Sequence, residues 1–523
     1  MSDHALVKAT SAVGGMALIS RLLGFVRDMV IAQLFGAGSS ADAFFVAFKI
    51  PNFMRRLFVE GAFSLALVPL FTEFRVTRTH EERRLFVAGV AGTLGGVLLL
   101  ITLLGVVVAP LLVWLLAPGF VGDSERYQLT TTLLRITLPY LLFISLTALA
   151  AAVLNSYDRF VLPAVTPVLL NLIMIAAAWW LAPLLNIPVM ALAWGVLAAG
   201  VVQLAVQLPT LYRLGLLARP RWAWHDPGVR RVRRLMLPAL FGSSVTQINL
   251  LLDTLIASFL AAGSISWLYY ADRLVEFPLG IFGLAVATVI LPRLAQRHTT
   301  QSAEQFSRTL DWALRWVVLL GVPATVGLFM LSGAIMATLF QYGEFSPRDA
   351  QMATYSLMGY AAGLLGFILV KVLAPGFFAR QDTATPVRIG VVAVVANLLL
   401  SLLFVAPMVW WDIAAPHAGL AVATSMAALL NAGLLYRLLR KQGVYHPLPG
   451  WRRWWSAVFV SSLIMAILLG WGAFDLEPWL QRSALERTLH LSGWMALSGL
   501  VYGMGLWLTG MRWSHLKALL AQP

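Results

Sequence analysis

Long apolar stretches dominate this 523-residue chain and limit what it can fold into. Stretches of about 20 apolar residues, enough to cross a bilayer as a helix, recur from one end to the other. Charged residues make up only 12% of the sequence and hydrophobic residues 60%, whereas soluble domains usually carry about 25% charged residues. A water-soluble fold is therefore excluded, and the chain has no room for a large soluble domain.

About fourteen windows are long and apolar enough to predict transmembrane helices. The sequence therefore predicts an all-α polytopic membrane protein. Several windows exceed the crossing length, so we expect tilt or kinks in those helices. In chain order the windows are 8–35, 42–73, 85–116, 128–153, 161–183, 189–212, 234–262, 266–292, 310–340, 350–379, 387–410, 417–437, 454–473 and 489–511.

The Lys and Arg residues between these windows are unevenly distributed. The chain has 38 Lys and Arg against 23 Asp and Glu, a net charge of +15. Of the Lys and Arg in the connections, 22 fall in one alternating set and 4 in the other, which is thereby assigned to the outward side and consists of Arg126, Arg348, Arg482 and Arg487. Cytoplasmic loops collect basic residues, so the pattern predicts a cytoplasmic location for both termini. The excess positive charge is therefore explained by the orientation of the chain in the membrane, and we expect no nucleic-acid partner.

The chain resembles itself at an offset of about 220–225 residues, as expected of an internal repeat. Residues 28–39 align with 253–264, and Leu-Tyr-Arg-Leu recurs at 211–214 and 435–438. Each repeat holds six windows, an even number, so the two halves should be related by an axis along the membrane normal. This arrangement is typical of transporters, in which a central cavity between the repeats opens alternately to each side of the membrane. The predicted domains are an N-terminal lobe 8–215, a basic linker 216–231, a C-terminal lobe 232–440, a basic linker 441–453 and an extra helix pair 454–511.

Several predicted spans carry charged side chains, each of which costs ~2.5–3.5 kcal/mol at a helix centre. These side chains should face one another or a watery cavity. Asp42, Lys49, Asn52, Arg56 and Glu60 are spaced to form one polar stripe along the second helix. Pro51 and Pro278 interrupt two of the charged helices and predict bent or locally unwound segments. The charged residues are Arg21, Arg27, Asp28, Asp42, Lys49, Arg55, Arg56, Glu60, Asp272, Arg273 and Glu276.

Two interpretations fit these buried charges. Any single Arg–Asp pair could be an internal salt bridge that holds the bundle together. For the whole group we expect anion binding, because five of its six cations are Arg, which binds phosphate and carboxylate in bidentate geometry. Lys371 either lines the cavity or extends to the membrane surface, and Asp253 either binds a coupling cation or bonds to neighbouring polar side chains. His417 is expected at the membrane interface.

Enzyme signatures are missing from the sequence. The chain has no Cys, which excludes disulfides, thiolate metal sites and Cys nucleophiles. It also has no HExxH, Walker-A or GxSxG motif. We therefore expect neither an enzyme nor a cofactor-binding or metal-binding protein.

Several ordered motifs resemble those of the MurJ/MviN family of lipid II flippases, within the multidrug/oligosaccharidyl-lipid/polysaccharide exporter superfamily. The resemblance covers nearly the whole chain. The motifs are Ser20-Arg-Leu-Leu-Gly-Phe-Val-Arg-Asp28, Phe35-Gly-Ala-Gly38, Asp42-Ala-Phe-Phe-Val-Ala-Phe-Lys-Ile-Pro-Asn52, Arg55-Arg-Leu-Phe-Val-Glu-Gly-Ala-Phe-Ser64, Leu268-Tyr-Tyr-Ala-Asp-Arg-Leu-Val-Glu-Phe-Pro278 and Val372-Leu-Ala-Pro-Gly-Phe-Phe-Ala-Arg-Gln-Asp382.

The resemblance implies a flippase that moves lipid II, the lipid-linked peptidoglycan precursor, from the cytoplasmic to the periplasmic leaflet of the bacterial inner membrane. Its implied partners are lipid II, membrane lipids and proteins of cell-wall synthesis. It implies a cation-binding position at Asp253 and cavity positions at Arg21, Arg27, Asp28, Arg55 and Arg273. The neighbouring positions in the same motifs are Asp42, Lys49, Asn52, Arg56, Glu60 and Glu276.

Other functions remain open at this point. The closest alternatives are an exporter of another polyprenyl-pyrophosphate-linked saccharide and a multidrug antiporter of the same superfamily. A lipid-linked glycosyltransferase would need a catalytic base and a sizeable outward domain, and a scaffold protein would not need buried Arg. The extra pair 454–511 lies outside the repeat, and we expect it to form a groove for the polyprenyl tail or else to stabilise the fold.

Overall fold

The computed structural model describes residues 3–56, 64–285 and 303–511. Regular structure in this part of the chain is entirely helical. The chain divides into two compact units, Met1–Ile265 and Ser266–Pro523. This helical architecture confirms the predicted all-α fold class.

The first unit contains ten helices within the described residues and the beginning of an eleventh. Two short helical turns, Pro118–Gly122 and Ala182–Leu184, and one π-helical turn, Ala177–Leu181, connect or extend them. The helices are α1 Asp3–Phe35, α2 Ser39–Arg55, α3 Ser64–Thr77, α4 His80–Val107, α5 Ala109–Leu116, α6 Ser124–Thr137, α7 Tyr140–Ser156, α8 Val161–Ala176, α9 Met190–Arg213 and α10 Pro227–Ala257, with α11 Ser264–Ala285 starting at its end.

In the first unit, α1 packs on α8, α2 on α6, and α7 on α9. The N-terminal half of α10 packs against α3 and α4, where Val229, Val232 and Met236 join Leu70 and Phe86 in one apolar core. The exposed end of this contact carries a two-pronged ion pair between Arg231 and Glu73, with N–O distances of 2.7 and 2.9 Å. These contacts fix α10 within the first unit.

The second unit contains most of α11 and the remaining helices. Within it, α16 packs on α17, while α18 packs on both α12 and α20. Its apolar clusters join α12 to the C-terminal helices, for example through Val318 and Val458. The helices are α12 Ala303–Met330, α13 Ser332–Leu339, α14 Pro347–Ala361, α15 Leu364–Phe378, α16 Ala384–Trp410, α17 Pro416–Lys441, α18 Trp451–Gly472, α19 Glu477–Leu480 and α20 Ala484–Leu508.

Polar side chains at the helix ends satisfy backbone groups that would otherwise lack partners. Reciprocal capping boxes begin α4 at Thr79, α14 at Ser346 and α20 at Ser483. Asp123 and Asp226 accept backbone N–H bonds at the starts of α6 and α10. Polar residues next to long apolar runs thus mark in the sequence where these helices start.

The fourteen predicted windows fall mainly on helical segments, with residues 57–63 of the second window and 286–292 of the eighth outside the described residues. Ten of these segments are long and apolar enough to cross a membrane. The other four windows fall on α1, on α2 with α3, on α10 and on α11. Three of these four, 8–35, 42–73 and 266–292, are the windows that hold the charged residues of the predicted anion site.

The two prolines do not unwind their helices. Pro51 lies inside α2 and Pro278 inside α11, and neither helix ends there, so the alternative that remains a prediction is a bend. Each helix continues because only the bond that a proline N–H would donate is lost, and neighbouring backbone bonds remain. The predicted boundaries of the lobes and linkers come from the sequence repeat and stay predictions.

Candidate functional site

Arg27 and Asp28 form a buried ion pair on α1. Arg27 donates from Nε and Nη2 to Asp28 Oδ1, at 3.0 and 2.6 Å, and the two side chains are only 5% and 1% exposed. Arg27 Nη1 also donates to Asn171 Oδ1 on α8, at 3.1 Å. Asn171 in turn donates from Nδ2 to the Ser20 carbonyl, at 2.9 Å. The pair is therefore part of the seam between α1 and α8.

Two features of α1 shape the approach to this pair. Gly24 lies next to Asn171: a methyl group at Gly24 would lie 3.4 Å from the Asn171 amide nitrogen. Arg21, two turns before Asp28, is exposed. Arg21 and Asp28 thus lie on the same side of α1, as their seven-residue spacing predicts, but in different environments.

Asp42 is fully buried in the first turn of α2. Its Oδ2 accepts one bond from Arg126 Nη2 on α6 and one from the backbone N–H of Gly263, the latter at 2.8 Å. Arg126 also stacks over the Phe120 ring, 3.9 Å from the ring centroid. We call Asp42, Arg126 and Gly263 the Asp42 junction, which joins the starts of α2 and α6 to the turn before α11.

The remaining stripe residues of α2 are partly buried. Lys49 donates to the Thr254 hydroxyl on α10, and Arg55 donates from Nε to Asn52 Oδ1 at 3.1 Å. Arg56 is partly buried. Glu60 lies outside the described residues. The stripe therefore turns at least Asp42 and Lys49 toward α6, α10 and the turn that follows α10.

Tyr140, at the start of α7, was not singled out by the sequence. It is fully buried, and its hydroxyl has no hydrogen-bond partner among the described residues. Both Arg27 and Arg55 lie within electrostatic reach of this phenol. A phenol that can donate a hydrogen bond thus lies within the electrostatic influence of cations from α1 and α2, and nothing in the sequence singled it out.

Arg273 and Glu276 form a second ion pair, on α11. Arg273 Nη1 lies 2.7 Å from Glu276 Oε2, and the side chains are 25% and 39% exposed. Arg273 Nη2 also donates to the Tyr269 hydroxyl at 3.1 Å, and the guanidinium lies over the Tyr269 ring. Glu276 and Tyr269 both lie on α11, and the pair is partly open to solvent.

Three residues differ from the sequence interpretation. His417 was expected at the membrane interface but is fully buried, bonded to the Met352 carbonyl at 3.0 Å and packed against the Trp267 ring. Arg126 and Arg487 were assigned to outward connections but are buried in helices. Arg487 donates to carbonyl groups near the end of α13, including that of Ala337 at 2.9 Å. Each of the three is held by partners distant in sequence, which a loop assignment cannot reveal.

Asp253 and Lys371 remain candidates. Asp253 is buried in α10, one residue before the Thr254 hydroxyl that accepts the Lys49 bond. Lys371 is exposed on α15. Consecutive residues of a helix do not face each other, so the cation-binding role of Asp253 stays a prediction.

Comparison with known proteins identifies the family. The family model described as "Lipid II flippase MurJ" matches residues 31–489. The chain belongs to the MurJ family. A relative from Vibrio cholerae, named probable lipid II flippase MurJ, is 47% identical over 98% of both chains. A Burkholderia cenocepacia protein named lipid II flippase MurJ is 40% identical over 98% of this chain and 99% of its own. The family resemblance read from the motifs is therefore confirmed.

Solved structures agree with this assignment. A structure titled "Lipid II flippase MurJ, inward closed conformation" aligns with a TM-score of 0.78 at 25% identity, covering 94% of this chain and 97% of that one. An inward-facing multidrug transporter of the MATE family aligns with a TM-score of 0.64 at 15% identity, a likeness of fold alone. Membership of the MurJ family makes this chain a multi-pass membrane transporter of the bacterial inner membrane and confirms the prediction that it is not an enzyme.

Proposed function

We propose that this chain moves lipid II from the cytoplasmic to the periplasmic leaflet of the inner membrane. The observation that carries the proposal is the MurJ match across residues 31–489, together with 47% identity to a relative named as a probable lipid II flippase. The charged helices α1, α2 and α11 suit this substrate, because its pyrophosphate is an anion that Arg binds well.

The alternatives have weaker support. A multidrug antiporter is favoured only by likeness to MATE structures at 15% identity, and a cavity for cationic compounds would be acidic rather than rich in Arg. An exporter of another polyprenyl-pyrophosphate-linked saccharide would share the same anion site. A competition experiment with that class of lipid therefore separates the two exporters.

The direct test is leaflet-resolved labelling of lipid II in vesicles that contain only this protein. We expect labelled headgroups to cross in vesicles with the protein and to remain on their starting side in empty vesicles. A second polyprenyl-pyrophosphate lipid with an unrelated saccharide serves as the competitor and should compete poorly. Equal crossing in empty and protein-containing vesicles would overturn the proposal.

We further propose that the lipid II headgroup is bound by the charged group on α1, α2 and α11. Arg273 supports this role because it is a partly exposed Arg, and Arg27 and Arg55 support it because both lie near the Tyr140 hydroxyl. Arg27 is engaged with Asp28 and Asn171, so a phosphate would take the place of Asp28 there. The full proposed set is Arg21, Arg27, Asp28, Asp42, Lys49, Asn52, Arg55, Arg56, Glu60, Arg273 and Glu276.

The Asp42 junction bears on how the predicted central cavity opens alternately to the two sides of the membrane. We propose that lobe 8–215 rocks against lobe 232–440, with little change inside each lobe. The junction connects α2 and α6 to the turn before α11, which belongs to lobe 232–440 by the sequence repeat and to the first compact unit by packing. The charge pattern places these helix ends outward. Opening the outer side would then break the Asp42–Gly263 bond, which is a single hydrogen bond of 2.8 Å.

A cross-link tests this motion, because the chain has no native Cys. Ser40→Cys and Ala262→Cys change exposed residues that flank the Asp42–Gly263 bond, and a short bismaleimide can join them. We expect the joined protein to stop moving lipid II, while Ser40→Cys alone, treated with the same reagent, stays active. Unchanged transport by fully cross-linked protein would exclude the motion.

The extra helix pair, α18 and α20, is proposed to guide the polyprenyl tail. Its glycines divide into two kinds. A methyl group at Gly505 would lie 2.8 Å from Ser461 Oγ and one at Gly472 would overlap the Trp494 ring, so these two permit close helix packing. The others, Gly470, Gly493, Gly499 and Gly503, face open space where an apolar chain could lie.

Three finer statements remain part of this proposal. Both termini lie in the cytoplasm, supported by the placement of the basic connections. Asp253 binds a coupling cation, supported by its burial in α10; in that case Asp253→Asn should remove the dependence of transport on that cation. Proteins of cell-wall synthesis are proposed as partners because they make and use lipid II.

A further inference from the structure

A cavity of about 420 Å³ lies in the second unit, apart from the charged helices of the proposed lipid II site. It forms where the first half of α12, the segment before α18, the start of α18 and the end of α20 come together. Its lining includes Arg308, Arg315, Arg453, Trp312, Trp454 and Gly450. The basic linkers predict that this end of the second unit faces the cytoplasm.

Asp311 fixes the wall of the cavity. It is fully buried and accepts bonds from Tyr445 Oη at 2.8 Å, Leu448 N at 3.1 Å and Trp451 Nε1 at 2.7 Å. Arg315 Nε donates to its other oxygen at 2.8 Å. One carboxylate therefore ties the segment before α18 to α12 and is occupied by donors on both oxygens, which leaves the Arg side chains to set the charge that a ligand meets.

Three Arg side chains surround this wall. Arg315 is held in place between the Trp451 and Trp454 rings, 5.3 and 5.7 Å from their centroids, and donates to the Pro449 carbonyl at 2.9 Å. Arg453 is exposed and reaches the Gly510 carbonyl at 2.9 Å. Arg308 is exposed, paired on the outside with Glu304. Arg side chains of both α12 and α18 thus line the cavity.

The N-terminus of α18 adds the partial positive charge of a helix dipole to that of the Arg side chains. The helix begins at Trp451 after Gly450, whose φ of 96° is in the left-handed region, and no side chain caps its first turn. Helix N-termini favour anions because their backbone N–H groups point outward along the helix dipole. Since Gly450 itself lines the cavity, these N–H groups and the Arg side chains are available to the same small region.

The cavity is also amphipathic. Trp312, Trp454 and Met511 contribute apolar walls, and further along α18 and α20 the exposed side chains are large and apolar, including Phe459 at 63% and Leu508 at 67% exposure. Trp residues at a helix end of this kind anchor a membrane interface. A soluble anion would use only the cationic part, whereas a lipid would use both parts.

We propose that this cavity binds the phosphate headgroup of an anionic phospholipid of the cytoplasmic leaflet, with its acyl chains along the apolar side chains of α18 and α20. Basic pockets between helices at a cytoplasmic surface suit such headgroups. Binding there ties the linker before α18 and the extra helix pair to the inner leaflet. The headgroup cavity shares no residue with the proposed lipid II headgroup site, although both proposals use the apolar surface of α18 and α20, and its ligand goes beyond the proposed transport function.

Mass spectrometry of the intact protein released from nanodiscs tests the site, with phosphatidylglycerol as the probe and phosphatidylethanolamine as the reference lipid. The test variant is Arg308→Gln with Arg453→Gln, both exposed. The matched control is Arg437→Gln with Arg440→Gln, which removes the same charge from exposed positions on α17 outside the cavity. Thermal unfolding of each variant confirms that it is folded, and Arg453→Lys gives a milder second variant.

We expect wild type and the control to retain phosphatidylglycerol in preference to phosphatidylethanolamine, and the test variant to weaken that retention by about tenfold or more. Arg453→Lys should lie between them. Equal retention by the test variant and the control would overturn the proposal. Glycerol phosphate should compete poorly, and competition equal to that of the lipid would overturn the lipid assignment. Lipid II binding should be unchanged in the test variant, and a parallel loss would reassign the cavity to the transported substrate.

Discussion

Two Arg–carboxylate pairs with nearly the same geometry have very different surroundings. Arg27–Asp28 on α1 has an N–O distance of 2.6 Å and Arg273–Glu276 on α11 one of 2.7 Å. The first pair is 5% and 1% exposed and the second 25% and 39%. Solvent exposure, rather than distance, therefore decides what each pair can do.

The partners of the two Arg residues sharpen this contrast. Arg27 reaches across to Asn171 on α8, and Arg273 bonds to Glu276 and Tyr269 of its own helix. Removing one partner of a buried ion pair strongly destabilises a protein, because the other charge stays buried alone. An exposed pair contributes only about 0–1 kcal/mol of stability. The buried pair thus stabilises the seam between α1 and α8, and the open pair can meet a ligand first.

The largest expected effect comes from removing one half of each pair. Asp28→Ala leaves Arg27 buried without its carboxylate, and we expect a loss of about 3–5 kcal/mol of stability. Glu276→Ala should cost about 0–1 kcal/mol. Thermal and denaturant unfolding of the two purified variants in the same detergent measures the difference.

A double variant serves as the control for that prediction. Arg27→Met with Asp28→Leu removes both buried charges while keeping apolar volume, so it should recover most of the stability that Asp28→Ala loses. Equal unfolding midpoints for Asp28→Ala and Glu276→Ala would contradict the contrast between the pairs.

Lipid II binding should depend more on the exposed pair than on the buried one, the opposite of the order expected for stability. Arg273→Ala removes an accessible charge-assisted contact and should weaken lipid II binding by roughly 1.5–3 kcal/mol, with little loss of stability. Arg273→Lys should restore only part of the affinity, because Lys lacks the planar fork. Titration of lipid II into the folded variants measures this, and wild-type affinity in Arg273→Ala would place the headgroup elsewhere.

The contrast between packed and open positions recurs among the glycines of the extra pair. Gly505→Leu should destabilise the protein by about 1–3 kcal/mol, because its side chain would meet Ser461. Gly499→Leu faces open space, so we expect normal unfolding but slower movement of lipid II. Unfolding and vesicle transport assays on the same preparations separate the two effects, and normal transport by Gly499→Leu would argue against a tail groove at that position.

The smallest expected effect concerns Tyr140, which lies near the buried Arg27. Its hydroxyl is buried without a partner among the described residues, so Tyr140→Phe should leave stability unchanged or slightly raised. If the hydroxyl donates to the lipid headgroup, lipid II binding should fall by about 0.5–1.5 kcal/mol. Leu141→Ala, at a buried apolar neighbour, is the control and should lower stability instead. Unchanged affinity in Tyr140→Phe would remove the hydroxyl from the site.

The sequence predicted the helical fold well, because long apolar windows report directly on membrane helices. Helix breaks within windows were missed: 85–116 divides into α4 and α5 near Val108, where Pro110 in the first turn of α5 has no backbone N–H to continue α4. Pro51 and Pro278, which were expected to bend or unwind their helices, lie inside continuous ones. The presence of a proline thus does not by itself decide whether a helix breaks.

The charged residues could be found from the sequence, but their partners could not. Nothing in the local sequence connects Asp42 to Arg126, 84 residues away. The second donor to Asp42 is the backbone N–H of Gly263, and a backbone group has no signature of its own in a sequence. The Arg27–Asp28 pair was suggested by adjacency, yet its bond to Asn171 depends on α1 and α8 meeting in the fold.

Leaflet-resolved labelling of lipid II in vesicles with matched amounts of folded protein tests the central claim most directly. The comparison uses wild type, Arg273→Ala, empty vesicles and, as a control, Arg437→Ala, which removes an exposed Arg outside the proposed binding set. We predict that wild type moves lipid II, that Arg437→Ala stays within a few-fold of it, and that Arg273→Ala falls by about tenfold or more. Crossing at the same rate in all four preparations would contradict the account.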